Sequence, residues 1–282
     1  MPGPPELAGP ALGETVGPYR LEAVLGEGAM GIVYRAVREP EGTIVALKLL
    51  RRELSTDDTY RRRFAREGRI ASGLEHRHLV PVLEAGEAEG RPYLVSDYVE
   101  GRTLANLLEL DGPLPLSALL RVVAEIATGL DTLHREGLVH RDVKPSNIIV
   151  ASTGTTFLTD FGLAKGAAAT VLTKPGRVVG TLEYLAPEVI RGSPAGPAAD
   201  IYSLGCVAYE CIAGRPPLIG PGFVETTLAI LENEPSDPCA SRPDFPSGFS
   251  EVVLQALAKQ PSDRPPTAAA YALMLRISAR AA

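Results

Sequence analysis

The stretch HRDVKPSN at His140–Asn147 is followed along the chain by the tripeptide DFG, which begins at Asp160. A carboxylate such as that of Asp142 can accept the proton of a hydroxyl group. The side-chain oxygens of Asn147 and Asp160 are of the kind that binds divalent cations, and Lys144 adds a positive charge in the same stretch. Phosphoryl transfer requires these groups, and their order and spacing favour that chemistry over an unrelated loop.

A second string, GEGAMGIV at Gly26–Val33, places glycines at the positions of a G-x-G-x-x-G pattern. Positions without a side chain let backbone N–H groups approach phosphate oxygens. The following residues, Ile32–Val37, read as a strand, so the string joins two antiparallel strands and differs from a dinucleotide fingerprint, which opens a helix. By itself the string is equally compatible with a plain hairpin turn.

Lysine is scarce in this chain, because Lys48, Lys144, Lys165, Lys174 and Lys259 are its only lysines among 28 basic residues. Lys48 ends the apolar run VALK, and a lysine that faces inward needs an anionic partner to offset its desolvation. Glu67 on the following predicted helix can supply one, and phosphate oxygens another. The alternative for such an isolated pair is an exposed lysine beside a surface glutamate.

Composition excludes several classes of protein. The 282 residues are 45% hydrophobic and 22% charged, which allows a sizeable core and excludes wholesale disorder. A net charge of −6 does not suit binding to the phosphate backbone of nucleic acid.

Location is predicted from targeting signals and cysteines. The N-terminus shows no basic region followed by an apolar one, and no long apolar run occurs, so we expect neither a signal peptide nor a membrane span. Cys206, Cys211 and Cys239 form no C-x-x-C pair, which favours a reducing, cytoplasmic location.

Periodicity divides the chain into a tail and two lobes. Residues 1–18 are rich in proline and glycine, which predicts a flexible tail. Short β-type runs separated by turns predict a five-stranded antiparallel sheet in an N-lobe of residues 19–101, with one main helix after Asp57. The predicted strands are Tyr19–Leu25, Ile32–Val37, Ile44–Leu50, Leu79–Leu83 and Tyr93–Tyr98.

After Gly101 the apolar residues recur at helical spacing, which predicts a mainly α-helical C-lobe of residues 102–280. The predicted long helices are Leu116–Arg135, Ala198–Ala213, Ser250–Lys259 and Thr267–Arg280. The fold class is therefore α+β, with two lobes of different composition.

Together these motifs resemble the protein kinase superfamily, and in particular the bacterial eukaryotic-like serine/threonine protein kinases, from Tyr19 to Arg280. The tripeptide APE at Ala186–Glu188, Asp200 in DIYSLG and Arg264 in DRP strengthen the resemblance. It implies the bilobal protein kinase fold and transfer of the γ-phosphate of ATP to Ser/Thr hydroxyls of protein substrates.

The resemblance also implies catalytic roles. Asp142 would accept the proton of the attacking hydroxyl, and Lys144 would steady the γ-phosphate as negative charge spreads over it. Lys48 would hold the α- and β-phosphates and would be oriented by Glu67. Lys144 in a KPSN pattern favours Ser/Thr over Tyr as acceptors.

For ATP and its metal, the resemblance implies two further groups of residues. Asn147 and Asp160 would coordinate Mg²⁺, with Mn²⁺ as the alternative ion. The small residue Ser96, at a position that is usually bulky in the family, would leave a gap behind the adenine. The residues expected to bind the nucleotide are Leu25, Gly26, Glu27, Gly28, Ala29, Met30, Gly31, Val33, Ala46, Lys48, Ser96, Asp97, Val99 and Ile149.

Regulation is predicted from Arg141, which directly precedes Asp142, because a guanidinium can bind a phosphothreonine through two hydrogen bonds. Thr170 and Thr173 are the candidate sites of autophosphorylation, for which a homodimer acting in trans is one arrangement. Thr181 is expected to shape the acceptor site. A nucleotide-binding pseudokinase scaffold is the alternative function, although the Lys, Asp and Asn whose loss usually marks one are all present.

Overall fold

The computed structural model describes residues 9–28, 31–58, 61–62, 64–65, 68, 72–160 and 182–280. The chain divides into two compact units, Met1–Glu75 with Val80–Val99 and His76–Leu79 with Glu100–Ala282. The predicted lobe boundary between residues 101 and 102 lies close to this division. The exception is His76–Leu79, which joins the second unit because Leu158 N–H donates to the carbonyl of His78 at 2.8 Å.

The first unit contains an antiparallel sheet, which has six strands in the described residues and the order β1-β2-β3-β4-β6-β5. The strands are β1 Thr15–Val16, β2 Tyr19–Glu27, β3 Gly31–Arg38, β4 Thr43–Leu50, β5 Val82–Ala88 and β6 Arg91–Asp97, and the short helix α1 spans Arg52–Ser55. One face of the sheet carries the core, which includes Ile32, Tyr34, Leu47, Leu49 and Val95. Because successive side chains of a strand point to opposite faces, the residues between these core positions lie on the other face of the sheet.

The sheet begins earlier than the sequence predicts. Gly13 N–H donates to the carbonyl of Leu21 at 2.8 Å, Leu21 N–H donates to the carbonyl of Glu14 at 2.9 Å, and β1 then pairs with β2. The composition of residues 1–18 predicts a flexible tail, but backbone groups of β2 need partners whatever the composition of the segment that supplies them. Residues 9–18 therefore differ from the prediction, and residues 1–8 lie outside the described residues.

Strand β5 lies further along the chain than the strand predicted at Leu79–Leu83, and it occupies part of the interval before the strand predicted at Tyr93–Tyr98. Gly86 falls in that interval, where a glycine favours a turn, yet it lies inside β5. A Cβ at Gly86 would lie 2.4 Å from the ring of Tyr93 on the neighbouring β6, so the glycine makes room for that ring. This close approach explains a glycine in a strand interior.

The predicted helix after Asp57 is described only in fragments. Arg61 N–H donates to the carbonyl of Asp57 at 3.1 Å and Ser72 N–H donates to that of Gly68 at 3.0 Å, which are helical i to i−4 bonds. Glu67 lies outside the described residues.

The second unit is mainly helical and contains a small sheet, β7-β8-β9. Its strands are β7 Gly101–Thr103, β8 Ile148–Ala151 and β9 Thr156–Leu158, and its helices are α2 Leu104–Asp111, α3 Leu116–Arg135, α4 Pro187–Ile190, α5 Pro197–Ala213, α6 Phe223–Glu232, α7 Phe249–Ala256 and α8 Ala268–Ser278. The sequence predicted the bounds of α3 and came within a few residues of α5, α7 and α8. It did not predict the short helices α1 and α4, the helices α2 and α6, or the small sheet.

Helix α5 is buried along nearly its whole length, as expected for a helix that is apolar on all sides. Asp200, in the first turn of α5, contacts the backbone of His140 and Arg141. Asp131 on α3 also caps α8, because its two carboxylate oxygens accept from Ala268 N–H and Ala269 N–H, each at 3.0 Å. In the part of the chain that the structure describes, no helix has the length and apolar character that a membrane crossing requires.

Candidate active site

The carboxylate of Asp142 is held by two neighbours in its own loop. Lys144 Nζ lies 3.0 Å from its Oδ2, and Asn147 Nδ2 donates to the same oxygen at 3.0 Å and to the carbonyl of Asp142 at 2.8 Å. The Asp142 side chain is 19% exposed, so it remains reachable from solvent. Asp142, Lys144 and Asn147 are thus brought together, as the sequence predicts.

Asp200 stabilises this loop through hydrogen bonds to its backbone. Its carboxylate is fully buried and accepts from His140 N–H and Arg141 N–H, each at 2.8 Å. His134 Nε2 on α3 lies 2.8 Å from the same carboxylate. The sequence indicated Asp200 but not His134, since nothing in the local pattern of α3 distinguishes a histidine with a distant buried partner.

His140 is buried and neutral. Its Nδ1 accepts from Asp142 N–H at 3.2 Å, and its Nε2 must carry the proton because its partner, the carbonyl of Thr159 at 3.1 Å, can only accept. Burial lowers the pKa of His140 below its usual range, against the opposing effect of the nearby Asp200 and Asp142 carboxylates. The imidazole therefore links Asp142 to the segment that leads to Asp160.

The residue before Asp160 contacts Asn147, because Thr159 N–H donates to the carbonyl of Asn147 at 2.9 Å. Asp160 and Arg141 adopt positive φ angles of 60° and 65°. Non-glycine residues in this region cost roughly 1–3 kcal/mol each, and such strain clusters at functional sites. Both strained positions flank the Asp142 loop.

The donor set fits a Mg²⁺ ion. Asn147 uses its amide nitrogen for both hydrogen bonds to Asp142, so its Oδ1 is the atom that can coordinate a cation. Asp160 adds a carboxylate, and Mg²⁺ usually keeps several waters and takes only one or two protein ligands. Within the described ranges no cluster of three or more His, Cys, Asp or Glu suggests a different metal.

One face of the first unit's sheet carries five of the predicted nucleotide-binding residues. Gly26 pairs with Val33, Val33 with Lys48, and Ala46 with Ser96. Directly paired residues share a face and alternate residues return to it, so all five lie opposite the buried core. Lys48 therefore lies on the same face as Ala46 and Ser96, opposite the buried core.

The glycines of the turn between β2 and β3 have different surroundings, so the absence of a side chain matters for a different reason at each. A Cβ at Gly31 would lie 2.4 Å from the carbonyl oxygen of Leu49, so this glycine allows β3 to approach β4. A Cβ at Gly26 would meet no atom of the described residues within 4 Å, which leaves space on their side at the position expected to receive phosphates. Gly28 N–H closes the turn on the carbonyl of Gly31 at 2.9 Å. Ala29 and Met30 lie outside the described residues.

The other predicted nucleotide-binding residues are divided between the two units. Asp97 N–H donates to the carbonyl of Pro81 at 3.0 Å, so the Asp97 carbonyl is the candidate for a ligand. Val99 follows β6 and is half-buried, while Leu25 on β2 is 46% exposed. Ile149 lies on β8 of the second unit, where it pairs with Phe157.

The APE segment is anchored by a buried ion pair. Arg264 makes two hydrogen bonds of 2.7 Å to the Glu188 carboxylate and also donates to the carbonyls of Ala258 and Ala198. Nearby, the Tyr184 hydroxyl donates to the Glu210 carboxylate. Residues 161–181, which include the rest of DFG as well as Thr170, Thr173 and Thr181, lie outside the described residues.

Comparison with known proteins agrees with the geometry. A family model described as "Protein kinase domain" matches residues 19–273. Serine/threonine-protein kinase PknH of Mycobacterium bovis is 38% identical over 262 residues, which are 93% of this chain and 44% of the relative. Serine/threonine-protein kinase PknE of Mycobacterium tuberculosis is 41% identical over 252 residues, 89% of this chain and 44% of the relative. The chain thus spans less than half the length of these relatives.

Among solved structures, the kinase domain of Mycobacterium tuberculosis PknI is similar with a TM-score of 0.77 and 31% identity, over 96% of this chain and 99% of that one. The predicted kinase fold is confirmed, with one strand more than predicted in the larger sheet. The match covers both the sheet-rich and the helical unit, and the chain belongs to the protein kinase family.

Proposed function

We propose that this chain is an active serine/threonine protein kinase. The observation that carries the proposal is the Asp142 carboxylate, held at Oδ2 by Lys144 and Asn147 in a loop that is itself fixed by buried Asp200. The names of PknH and PknE support Ser/Thr acceptors, as does Lys144 in its KPSN pattern.

In the proposed reaction the oxygen of a protein Ser or Thr hydroxyl attacks the γ-phosphorus of ATP. The bond from that phosphorus to the β,γ-bridging oxygen breaks, and ADP leaves. Asp142 takes the hydroxyl proton, and the Lys144 ammonium, 3.0 Å from Asp142 Oδ2, stabilises the charge that spreads over the transferred group.

For ATP binding we propose the face of the first unit's sheet that carries Gly26, Val33, Ala46, Lys48 and Ser96. The open space at Gly26 supports approach of phosphates to the turn, and Lys48 would act as a compact charge for the α- and β-phosphates. Leu25, Val33, Ala46 and Ile149 would contact the adenine, and the Asp97 carbonyl and Val99 backbone would bind its edge. Glu67 would orient Lys48.

A divalent cation is general in this family, and Mg²⁺ is our specific proposal, with Mn²⁺ as its substitute. Asn147 Oδ1 and the Asp160 carboxylate would hold it, and the ion would neutralise phosphate charge during transfer. The hydrogen bonds from Asn147 Nδ2 to Asp142 support this choice, since they turn the amide oxygen away from the carboxylate.

Regulation by phosphorylation is proposed from Arg141. Its Nε is buried and has no hydrogen-bond partner among the described residues, which supports an anionic partner such as a phosphothreonine. Thr170 and Thr173 remain the candidate sites. Mass spectrometry after incubation with ATP should find at least one of them phosphorylated, and an active enzyme with neither phosphorylated would refute this part. A cytoplasmic location and a homodimer acting in trans remain predictions.

The proposal is tested with radiolabelled ATP, Mg²⁺ and a generic basic protein. We expect label in phosphoserine and phosphothreonine at a turnover of about 1–100 s⁻¹ for a fully active kinase. Asp142→Asn should remove most of it. Asp111→Asn is the matched control, because the pair that Asp111 makes with Arg102 is exposed, and it should leave transfer unchanged. Label in phosphotyrosine alone, or none, would contradict the proposal.

A further inference from the structure

Arg51 contacts the glycine-rich turn, although no sequence motif includes it. Its Nε–H donates to the carbonyl of Gly28 at 2.9 Å, and its Nη2 lies 3.7 Å from the carboxylate of Glu27. Both partners belong to the part of the turn that precedes residues 29–30. One side chain therefore binds a backbone oxygen and offsets the charge of the adjacent glutamate.

The fold fixes the point from which this side chain starts. Leu50 at the end of β4 pairs with Gly31, so the next residue, Arg51, emerges beside the turn. The Arg51 carbonyl accepts from Leu54 N–H and Ser55 N–H, each at 3.0 Å, and thereby begins α1. An arginine anchored in this way loses less freedom when it binds the turn than one on a mobile loop.

The described part of the turn is otherwise held by the strand pairing of Gly26 with Val33 and of Glu27 with Ile32, and by the bond from Gly28 N–H to the Gly31 carbonyl. Its glycines have unusually wide conformational freedom, and a Cβ at Gly26 or Gly28 would meet no atom closer than 3.8 Å in the described structure. Gly28 N–H to the Gly31 carbonyl is a neutral bond, whereas the bond from the Arg51 guanidinium is charge-assisted and stronger.

Charge adds a second contribution. The Glu27 side chain is 43% exposed, and an unbalanced carboxylate would repel the phosphates that the turn is proposed to receive. Arg51 offsets this charge. Arginine suits both tasks because Nε of its planar guanidinium donates to the Gly28 carbonyl while Nη2 lies within ion-pair distance of Glu27, whereas lysine carries its charge on a single nitrogen.

We propose that Arg51 is a positioning residue for ATP: it fixes the Gly28 carbonyl and offsets the charge of Glu27 at the start of the glycine-rich turn, where the phosphates are proposed to bind, without touching the nucleotide. The inference rests on the proposed function, since it assumes that the turn binds ATP. Arg51 acts on binding rather than on the chemical step, because its contacts involve neither Asp142 nor Lys144.

The test compares Arg51→Ala, Arg51→Lys and Glu27→Gln with Arg52→Ala, which removes the neighbouring, exposed arginine of α1. For each variant we would measure the Kd of ATP by titration, KM and kcat in the kinase assay, and Tm. Arg51→Ala should raise Kd and KM roughly tenfold while kcat changes by no more than about twofold. Arg51→Lys should restore part of the loss, and Arg52→Ala should match the wild type.

The contribution of charge to ATP binding is measured by combining the changes at Arg51 and Glu27. Removing Glu27 in an Arg51→Ala background should recover part of the ATP affinity, because the repelling carboxylate is gone. An unchanged Kd in Arg51→Ala, or an equal loss in Arg52→Ala, would overturn the inference even if the chain is a kinase. Wild-type protein that binds ATP but transfers no phosphate would overturn the proposed function and leave the Kd comparison as a valid test. Wild-type protein that binds no ATP would overturn both.

Discussion

Asp142 shows how a single side chain depends on its surroundings. Its contacts with Lys144 and Asn147 both fall on Oδ2, and its N–H is bound by the neutral imidazole of His140. The side chain therefore has a fixed rotamer and a fixed charge environment before any substrate arrives. Preorganisation of this kind is the main source of catalysis in phosphoryl transfer, where the protein does little covalent chemistry.

Ser96 gives a prediction about ligand size. It is half-buried on β6 and pairs with Ala46 on one side and Val82 on the other. ATP analogues with bulky groups directed inward should be accepted by the wild type, and Ser96→Met should weaken them roughly tenfold or more because overpacking costs about 1–3 kcal/mol. Inhibition constants against both forms provide the measurement.

Ser96→Ala is the control for this comparison and should behave as the wild type does. ATP itself should bind all three forms with similar affinity. If bulky analogues have equal potency against wild type and Ser96→Met, another side chain fills the space and the prediction is wrong.

His140 gives a prediction about pH. Burial keeps its pKa in the folded state below the ordinary value of 6.5, so below that pH the unfolded chain binds a proton that the folded one does not. The free energy of unfolding should therefore fall as the pH drops from 7 towards 5, by up to about 1.4 kcal/mol per pH unit from this group. Urea unfolding at several pH values measures it.

His76 must be separated from His140 in that experiment, because burial also lowers the pKa of His76 and acts in the same direction. Replacing each histidine in turn by Asn should reduce the slope of stability against pH. A slope that is unchanged in His140→Asn would show that His140 is not the group responsible.

Among helices and loops, a few buried polar contacts connect one element to another. The ion pair between Arg264 and Glu188 is the clearest of them. The Arg264 side chain has no exposed surface, and Glu188 is 15% exposed. Glu188→Gln would leave a buried guanidinium without its anionic partner, which should cost roughly 3–5 kcal/mol in the free energy of unfolding. Asp111→Asn, which breaks an exposed pair, should cost less than about 1 kcal/mol.

Equal losses in the two variants, measured by urea unfolding under the same conditions, would contradict this account. Arg264→Lys offers a further check, because lysine cannot reproduce the two parallel hydrogen bonds to Glu188 and should recover little of the stability.

Elements with strong local periodicity were predictable, and those defined by distant partners were not. Helix α3 repeats its apolar residues over five turns, so its bounds follow from the sequence. Strand β5 was misplaced because Gly86 looks like a turn residue until the ring of Tyr93 on β6 is seen beside it. Strand β1 was missed because its pairing comes from the backbone of β2.

The same distinction holds for the candidate site. Asp142, Lys144 and Asn147 lie within one short stretch, so their juxtaposition could be predicted from spacing. His134, which supports Asp200 from another helix, and Arg51, which contacts the glycine-rich turn, depend on tertiary contacts that leave no local pattern.

At the scale of the whole molecule, each compact unit supplies one group of the proposed functional residues. The first unit carries the glycine-rich turn and Lys48, and the second carries Asp142, Asn147 and Asp160. The family match extends over both, from residue 19 to residue 273. The account therefore requires that ATP binding and phosphoryl transfer occur together in this chain.

The most direct test measures ATP affinity and phosphoryl transfer on the same preparations of wild type and Asp142→Asn. We predict that the Kd of ATP agrees within about twofold, while kcat falls by roughly 10²–10⁴-fold, the usual contribution of a general base. Wild-type protein that binds ATP yet shows no transfer that depends on Asp142 would contradict the account and identify the chain as a nucleotide-binding scaffold.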